Sequence, residues 1–194
     1  MADLRGIRLG FAVCGSFCNA QNMLRAAEQC IASGAALLPI VSEHFGGLDT
    51  RFGAAAAFRE KLSALGNGTV IQTLQEAEPL GPKNMTDVLA VVPCTGNTLA
   101  KLSAGITDNT VTMAVKSHLR GGKPVVICLA TNDGLAASAR NLGDLLNRRH
   151  YYFVPFGQDS PSEKPTSLIA DFGLLSDTVA AALAGQQLQP LLLR

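Results

Sequence analysis

The chain has 194 residues, of which 47% are hydrophobic and 16% charged, and its formal net charge at pH 7 is +1. This length predicts a single domain over residues 1–194 with a substantial core, and the apolar surplus favours a homo-oligomer that buries part of its surface. The balanced charge, without a basic run, is not typical of proteins that bind nucleic acid or an anionic membrane, so we expect a small-molecule ligand.

The first predicted elements are a strand over residues 7–13 and a helix that ends at Gly34, joined by a glycine turn. The turn, at Gly15 and Ser16, directs free backbone N–H groups and a hydroxyl toward one point, where the helix dipole also favours an anion. We therefore predict a phosphate contact there. The turn matches neither GxGxxG nor a P-loop, which disfavours a nicotinamide dinucleotide or ATP as its ligand.

A second strand, predicted over residues 35–41, ends at Ser42, which is either a further phosphate contact or only the end of the strand. The polar segment that follows contains two candidate catalytic residues, His44 and Arg51. A guanidinium in a glycine-containing loop can hold a carboxylate through two hydrogen bonds. The alternatives are a surface arginine and a histidine without catalytic duty. A helix up to Gly66 and a short strand over residues 69–73 are predicted next.

The central prediction is a buried strand followed by a polar loop over residues 93–109. Residues 88–92 are continuously apolar, which is typical of a strand covered on both faces in a parallel sheet. Polar or small residues follow at the carboxyl end of this strand, where open α/β sheets bind ligands. They are Thr95, Gly96, Asn97 and Thr98. The loop can hold a planar heterocycle or a phosphate; the alternative is an ordinary strand-to-helix turn with Thr98 as N-cap.

The remainder of the chain continues the alternation of strands and helices. We predict a helix over residues 110–119, a strand over 124–129 and a polar loop with Thr131 and Asn132 that opens a helix to about residue 147. A last strand over 151–156, a polar loop over 157–165 and a final helix over 167–184 complete the prediction. This order predicts a three-layer, doubly wound parallel sheet of about six strands, Rossmann-like or flavodoxin-like.

The cysteine pattern and the N-terminal residues indicate the cellular compartment of the protein. The five cysteines show neither CxxC nor Cys/His metal spacing, which indicates reduced thiols and predicts no metal site. No apolar run approaches the length of a membrane span, and residues 1–5 lead directly into the first strand. We therefore expect no signal peptide and a cytoplasmic protein.

Four segments, in order, resemble motifs of the flavoprotein family that includes the flavin-containing cysteine decarboxylases. They are Gly15-Ser16, PCTGNT where those enzymes carry PASANT, the segment from Ala100 to Asn109, and LATND where they carry APAMN. The resemblance implies a pocket for flavin mononucleotide (FMN). It implies that Gly15, Ser16 and Ser42 surround the phosphate, that Thr95, Gly96, Asn97 and Thr98 line the ring or ribitol, and that Thr131 and Asn132 close the far side.

Within that family, near full-length similarity points to one subunit of a two-subunit sporulation enzyme. The segments that carry it are DTRFG, EAEPLGPK, TDN, KPVV and FVPFGQD with KPTSL. The resemblance implies oxidation of a cyclic dicarboxylate from the lysine pathway to pyridine-2,6-dicarboxylate in the mother cell, with NAD(P) on a dehydrogenase-like partner. The alternatives are a non-redox binding or scaffolding subunit and an FMN-dependent decarboxylase. The last is disfavoured because residues 78–82 contain no histidine where the decarboxylases carry a catalytic one.

Overall fold

The computed structural model describes residues 2–193 and contains one mixed sheet of seven strands. The strands are β1 (Arg8–Val13), β2 (Ala36–Val41), β3 (Val88–Cys94), β4 (Val125–Thr131), β5 (Tyr151–Phe153), β6 (Phe156–Ser160) and β7 (Lys164–Ala170). The sheet order is β2-β1-β3-β4-β7-β6, with β5 paired to β4 in addition. The strands from β1 to β5 pair in parallel, whereas β7 is antiparallel to both β4 and β6.

The helices cover the sheet, which explains the apolar strands. They are α1 (Ala20–Ala32), α2 (Glu43–Gly47), α3 (Ala55–Leu65), α4 (Leu74–Ala77), α5 (Gly96–Ala104), α6 (Thr110–Leu119), α7 (Ala139–Leu146) and α8 (Leu175–Leu183). Every residue of β3 is buried, as its unbroken apolar run predicts. No helix within residues 2–193 combines the length and hydropathy needed to cross a bilayer.

The parallel part of the sheet has the flavodoxin-like order, with β1 between β2 and β3. The chain therefore leaves β1 for one edge and returns to β3 on the other side, which creates a topological switch point between β1 and β3. The loops after these two strands diverge there and leave a crevice at their carboxyl ends. The doubly wound α/β prediction is confirmed, and the switch point identifies where a ligand site is expected.

Three predicted elements are wrong in detail. The predicted loop over 157–165 and the first part of the predicted helix over 167–184 form the β6–β7 hairpin, and α8 begins only at Leu175. β7 is a strand because it pairs with the end of β4, with Ala130 opposite Ile169. The predicted strand over 69–73 is reduced to an isolated bridge between Ile40 and Ile71.

Candidate functional site

A cavity of about 610 Å³ opens at the switch point, within the size range of small-molecule sites. The ends of β1, β3 and β4 form three of its sides, and the β6–β7 hairpin forms the fourth. Six of the nine predicted cofactor residues line it: Ser16, Thr95, Gly96, Asn97, Thr131 and Asn132. Lining residues that the sequence did not single out are Cys18, Asn19, Ala130, Asp133, Asp159, Lys164, Ser167, Leu168 and Ile169.

The turn after β1 presents a hydroxyl donor to the cavity. Ser16 is in the left-handed region, with φ 64° and ψ 50°, where non-glycine residues are uncommon. Its Oγ accepts a 2.8 Å hydrogen bond from Asn19 Nδ2, and its only other side-chain hydrogen bond within residues 2–193 is a weak one of 3.8 Å with Cys18 Sγ. Apart from this weak thiol contact, in which either atom can donate, the hydroxyl hydrogen has no acceptor within residues 2–193 and can turn toward an anionic ligand. Gly15 adjoins Ser16 but is not part of the lining.

The loop after β3 combines a helix cap with an accessible helix N-terminus. Thr95 is the N-cap of α5, and its side chain accepts the backbone N–H of Thr98. The first residues of α5, Gly96 and Asn97, face the cavity at the positive end of the helix dipole. Thr98 is 5% exposed and donates from Oγ1 to Cys14 Sγ at 3.1 Å. It therefore lies beneath the cavity floor, and the cap that we considered for Thr98 belongs to Thr95.

A polar cluster at the end of β4 packs directly against Gly96. Thr131 Oγ1 donates a 2.5 Å hydrogen bond to Asp133 Oδ1. A Cβ at Gly96 would lie 2.6 Å from Thr131 Oγ1, 2.8 Å from Asp133 Oδ1 and 2.8 Å from Ser138 Oγ, so only glycine allows this approach. Hydrogen bonds from Thr131 and Ser138 lower the pKa of Asp133, which keeps it ionised near neutral pH. This fixed negative charge disfavours a phosphate at the Gly96 end of the cavity.

The β6–β7 hairpin contributes an ion pair and a tether. Lys164 Nζ lies 2.7 Å from Asp159 Oδ2, and this hydrogen bond raises the pKa of Lys164. Ser167 Oγ donates to the backbone oxygen of Thr131, which ties the hairpin to β4. The sequence reasoning missed these residues because it assigned the segment to a loop and a helix. Their only signal was the presence of FVPFGQD and KPTSL among the resembling segments.

Besides Gly15 and Thr98, three further predicted site residues lie outside the cavity lining. Ser42 is buried, caps α2 by accepting the N–H of Phe45, and donates its own N–H to Val13. His44 is exposed on α2. Arg51 is exposed in the turn before α3, with its guanidinium 4.8 Å from the centre of the Phe52 ring.

The other histidines do not line the cavity either. His118 is 1% exposed and is held between the Thr86 hydroxyl, at 2.9 Å from Nδ1, and the Pro124 carbonyl, at 3.0 Å from Nε2. The carbonyl can only accept, so Nε2 carries the hydrogen and Nδ1 accepts from Thr86. Burial lowers the pKa of His118 to about 4, so the ring is neutral and structural. His150 lies in the turn before β5.

The thiols also differ in their surroundings. Cys18 is exposed and lines the cavity, whereas Cys94 is buried, and burial raises its pKa well above the usual range. Cys94 is therefore a small core residue and a poor nucleophile. Across the described residues, no group of three or more His, Cys, Asp or Glu side chains is arranged to hold a metal ion.

Comparison with known proteins matches residues 8–174 to the family model described as Flavoprotein. The dipicolinate synthase B subunit of Bacillus subtilis (strain 168) is 39% identical over 192 residues, which cover 99% of this chain and 96% of that protein. The crystal structure of the dipicolinate synthase B subunit from Bacillus halodurans C is 37% identical, with a TM-score of 0.91 over 100% of this chain and 99% of that one. The FMN-dependent cysteine decarboxylase SpaF shares the fold at 23% identity, with a TM-score of 0.65 over 92% of this chain and 98% of that one.

Proposed function

The chain belongs to the flavoprotein family, and from this premise we propose that it acts as the B subunit of dipicolinate synthase. With a dehydrogenase-like A subunit that holds NAD(P), it converts a dihydrodipicolinate-type precursor from the lysine pathway to dipicolinate during sporulation. The near full-length similarity to two such B subunits carries the proposal. The cytoplasm of the mother cell is the corresponding location.

We further propose that the cavity binds FMN. Different residues of its lining contact the phosphate and the ring or ribitol. The Ser16 hydroxyl and the backbone of Gly15 and Ser16 hold the phosphate, because this turn offers a hydroxyl donor to the cavity. The N-terminus of α5 and the Asn97 amide orient the ring or ribitol. Thr131 and Asn132 close the far side. When bound, a flavin supplies the capacity to accept a hydride.

Ser42 and Thr98 act on the cofactor indirectly in this proposal. Ser42 joins the ends of β1 and β2 through its backbone bond to Val13 and fixes α2 by its cap. Thr98 bonds to Cys14, at the end of β1, from below the floor. Both hold the loops that surround the phosphate without contacting the ligand.

The dicarboxylate substrate requires a cation, because a buried carboxylate without a partner is costly. Lys164, the cation that the described lining provides, is already paired with Asp159. Arg51 remains our candidate for the substrate contact and His44 a secondary catalytic candidate. Since neither lines the cavity of its own chain, they reach a ligand there only if a neighbouring copy in the homo-oligomer presents them.

The two alternative functions are distinguished by cofactor and chemistry. A non-redox scaffolding subunit would have the cavity but no bound flavin. A flavin-dependent decarboxylase is not favoured, because no histidine lines the cavity within residues 2–193. The absorbance spectrum of the purified protein, followed by calorimetric titration with FMN, its adenine dinucleotide and NADP, tests for the flavin that the scaffolding alternative lacks. We expect FMN to bind most tightly; tighter binding of either dinucleotide contradicts the proposed site.

The function itself is tested by reconstitution. Ultraviolet absorbance of dipicolinate is followed with each subunit alone and with both, in the presence of NADP. We expect product only with both subunits, because this chain has no nicotinamide-binding fingerprint. Full turnover by this chain alone would refute the division of labour, and no product from the mixture would refute the proposed function.

A further inference from the structure

A second concave surface lies between the ends of α5 and α6 and the start of β5. This surface, called the α5–α6 groove below, encloses about 370 Å³ and shares no lining residue with the cavity. Its floor is aliphatic and consists of Leu102, Ile106, Val115 and Leu119. Ile106 lies between α5 and α6 in the chain. It is 47% exposed, although both of these helices contain buried apolar residues. Leu102 and Val115 are buried at the base of the groove, so Ile106 provides most of its exposed apolar surface. An exposed aliphatic side chain inside a concave, largely apolar groove marks a candidate contact surface for another molecule.

Positive charges stand at the rim of the groove. Lys116 and Arg120 line it, and no ion pair of the described chain involves either residue. A third cation, Arg148, is already paired with Asp144 at 2.8 Å and donates to the Ser103 carbonyl. No aspartate or glutamate is part of the lining.

The two cations without an ion pair in the described chain, Lys116 and Arg120, are also close to each other at the end of α6. Lys116 and Arg120 are four residues apart and thus neighbours on one helix face, where like charges repel. The helix dipole favours cations in the last turn of α6, so their presence there has a local reason. It does not explain why both border an apolar groove with the exposed Ile106 and have no counter-ion there among the described residues. A carboxylate from outside the chain would resolve the repulsion.

We propose that the α5–α6 groove is the docking site for a segment of the partner subunit that combines acidic and aliphatic side chains. This inference rests on the proposed function. Aliphatic side chains of the segment would cover Ile106, while its carboxylates pair with Lys116 and Arg120. A small anion would leave Ile106 exposed. A second copy in a two-fold arrangement would oppose the same cations to each other, which is unfavourable.

The test compares two doubly charge-reversed variants in binding to the A subunit. Lys116→Glu/Arg120→Glu alters the groove, and Lys61→Glu/Lys83→Glu changes the net charge equally at exposed positions outside it. We expect the groove variant to bind the A subunit at least tenfold more weakly and the control to bind like the wild type. Ile106→Asp is expected to weaken binding as well. Affinity for FMN and the urea midpoint of each variant verify that the fold is retained.

The outcomes separate this inference from the function on which it rests. If the wild type binds the A subunit and the groove variant binds it equally well, the docking site is refuted while the function stands. If the wild type does not bind the A subunit, both fall. A change in the mass of the groove variant alone, with unchanged affinity for the A subunit, would assign the groove to contacts between copies of this chain and overturn the proposal.

Discussion

Asn19 Nδ2 donates a 2.8 Å hydrogen bond to Ser16 Oγ, and this bond aims the Ser16 hydroxyl. Ser16 has a left-handed backbone, which costs energy for a residue with a Cβ and is found where function requires a particular loop geometry. The bond uses one lone pair of the Ser16 oxygen, so the hydroxyl hydrogen can point toward a ligand. The two residues together form the donor that the proposed phosphate site needs.

We predict that Ser16→Asp weakens FMN binding far more than Ser16→Ala. Loss of a hydrogen bond from the neutral hydroxyl to the charged phosphate removes roughly 1.5 to 3 kcal/mol, about a twelve- to 160-fold change in affinity. A carboxylate at this position adds repulsion of the phosphate and should reduce binding much further. Calorimetric titration measures both, and riboflavin, which lacks the phosphate, is the control ligand. Equal losses for the two variants would show that Ser16 does not contact the phosphate.

We predict that Gly96→Ala distorts the cavity lining, because the added Cβ has no room there. The new Cβ would meet Thr131 Oγ1 at 2.6 Å and Asp133 Oδ1 at 2.8 Å, so the polar cluster must move. Overpacking of this kind costs about 1 to 3 kcal/mol. We expect a lower urea midpoint together with at least tenfold weaker FMN binding.

The matched control for that exchange is Gly143→Ala in α7. A Cβ there meets nothing within 4 Å, and the position is inside a helix. Alanine should therefore raise the stability by up to about 1 kcal/mol. If Gly96→Ala were equally harmless, the close approach at the end of β4 would have no role in binding.

The parts of the fold that the sequence predicted are those in which local pattern and tertiary position agree. The apolar runs of β1, β3 and β4 identified buried parallel strands, and the small polar residues after them identified six lining residues of the cavity. The β6–β7 hairpin was missed because FGQDS has no apolar alternation. Its strand conformation depends on pairing with β7, which in turn depends on the end of β4.

Ser42 and Thr98 show a second limit of sequence reasoning. Both are hydroxyl residues at the carboxyl ends of strands, and the sequence does not distinguish a hydroxyl that faces a ligand from one that satisfies the backbone. The helix after β3 begins earlier than the Thr98 alternative assumed, so Thr95 takes the cap and Thr98 turns toward Cys14. Helix register decided which threonine reaches the cavity.

From the buried His118 we predict that the free energy of unfolding decreases at mildly acidic pH. The unfolded chain binds a proton at the ordinary pKa of 6.5, whereas the folded ring does so only near 4. The unfolded state therefore binds more protons in this window, and stability falls as pH falls from 6.5 to about 4. At about 1.4 kcal/mol per pH unit, the loss amounts to roughly 3 kcal/mol at most. Lys123 and Asp87, the nearby charges, act in opposite directions on the ring.

Urea unfolding of wild type, His118→Gln and His44→Gln across this window tests the prediction. His118→Gln should lose most of the pH dependence, and His44→Gln, which changes an exposed residue, should retain it. Asp87, whose pKa the Arg8 hydrogen bond lowers to about 2, contributes stability that is lost only at lower pH. An unchanged pH profile in His118→Gln would contradict the assignment.

The last prediction concerns Arg51. In the structure this guanidinium contacts only the Phe52 ring among the interactions of the described chain. Asp49, an acidic residue two positions earlier, accepts the N–H of Ala55 at the start of α3. The side chain is therefore available to a substrate carboxylate or to a neighbouring copy.

If Arg51 binds the substrate, Arg51→Lys should resemble Arg51→Ala, because lysine keeps the charge but cannot form the two parallel hydrogen bonds of the guanidinium. Both variants, assayed with the A subunit, should then show a raised Michaelis constant while the oligomer mass measured by light scattering stays unchanged. If Arg51 instead joins subunits, the alanine variant should dissociate with unaltered affinity for FMN. Arg140→Ala, an exposed arginine on α7 outside the cavity lining, is the control and should change neither quantity. Full activity of Arg51→Ala with an intact oligomer would remove Arg51 from both roles.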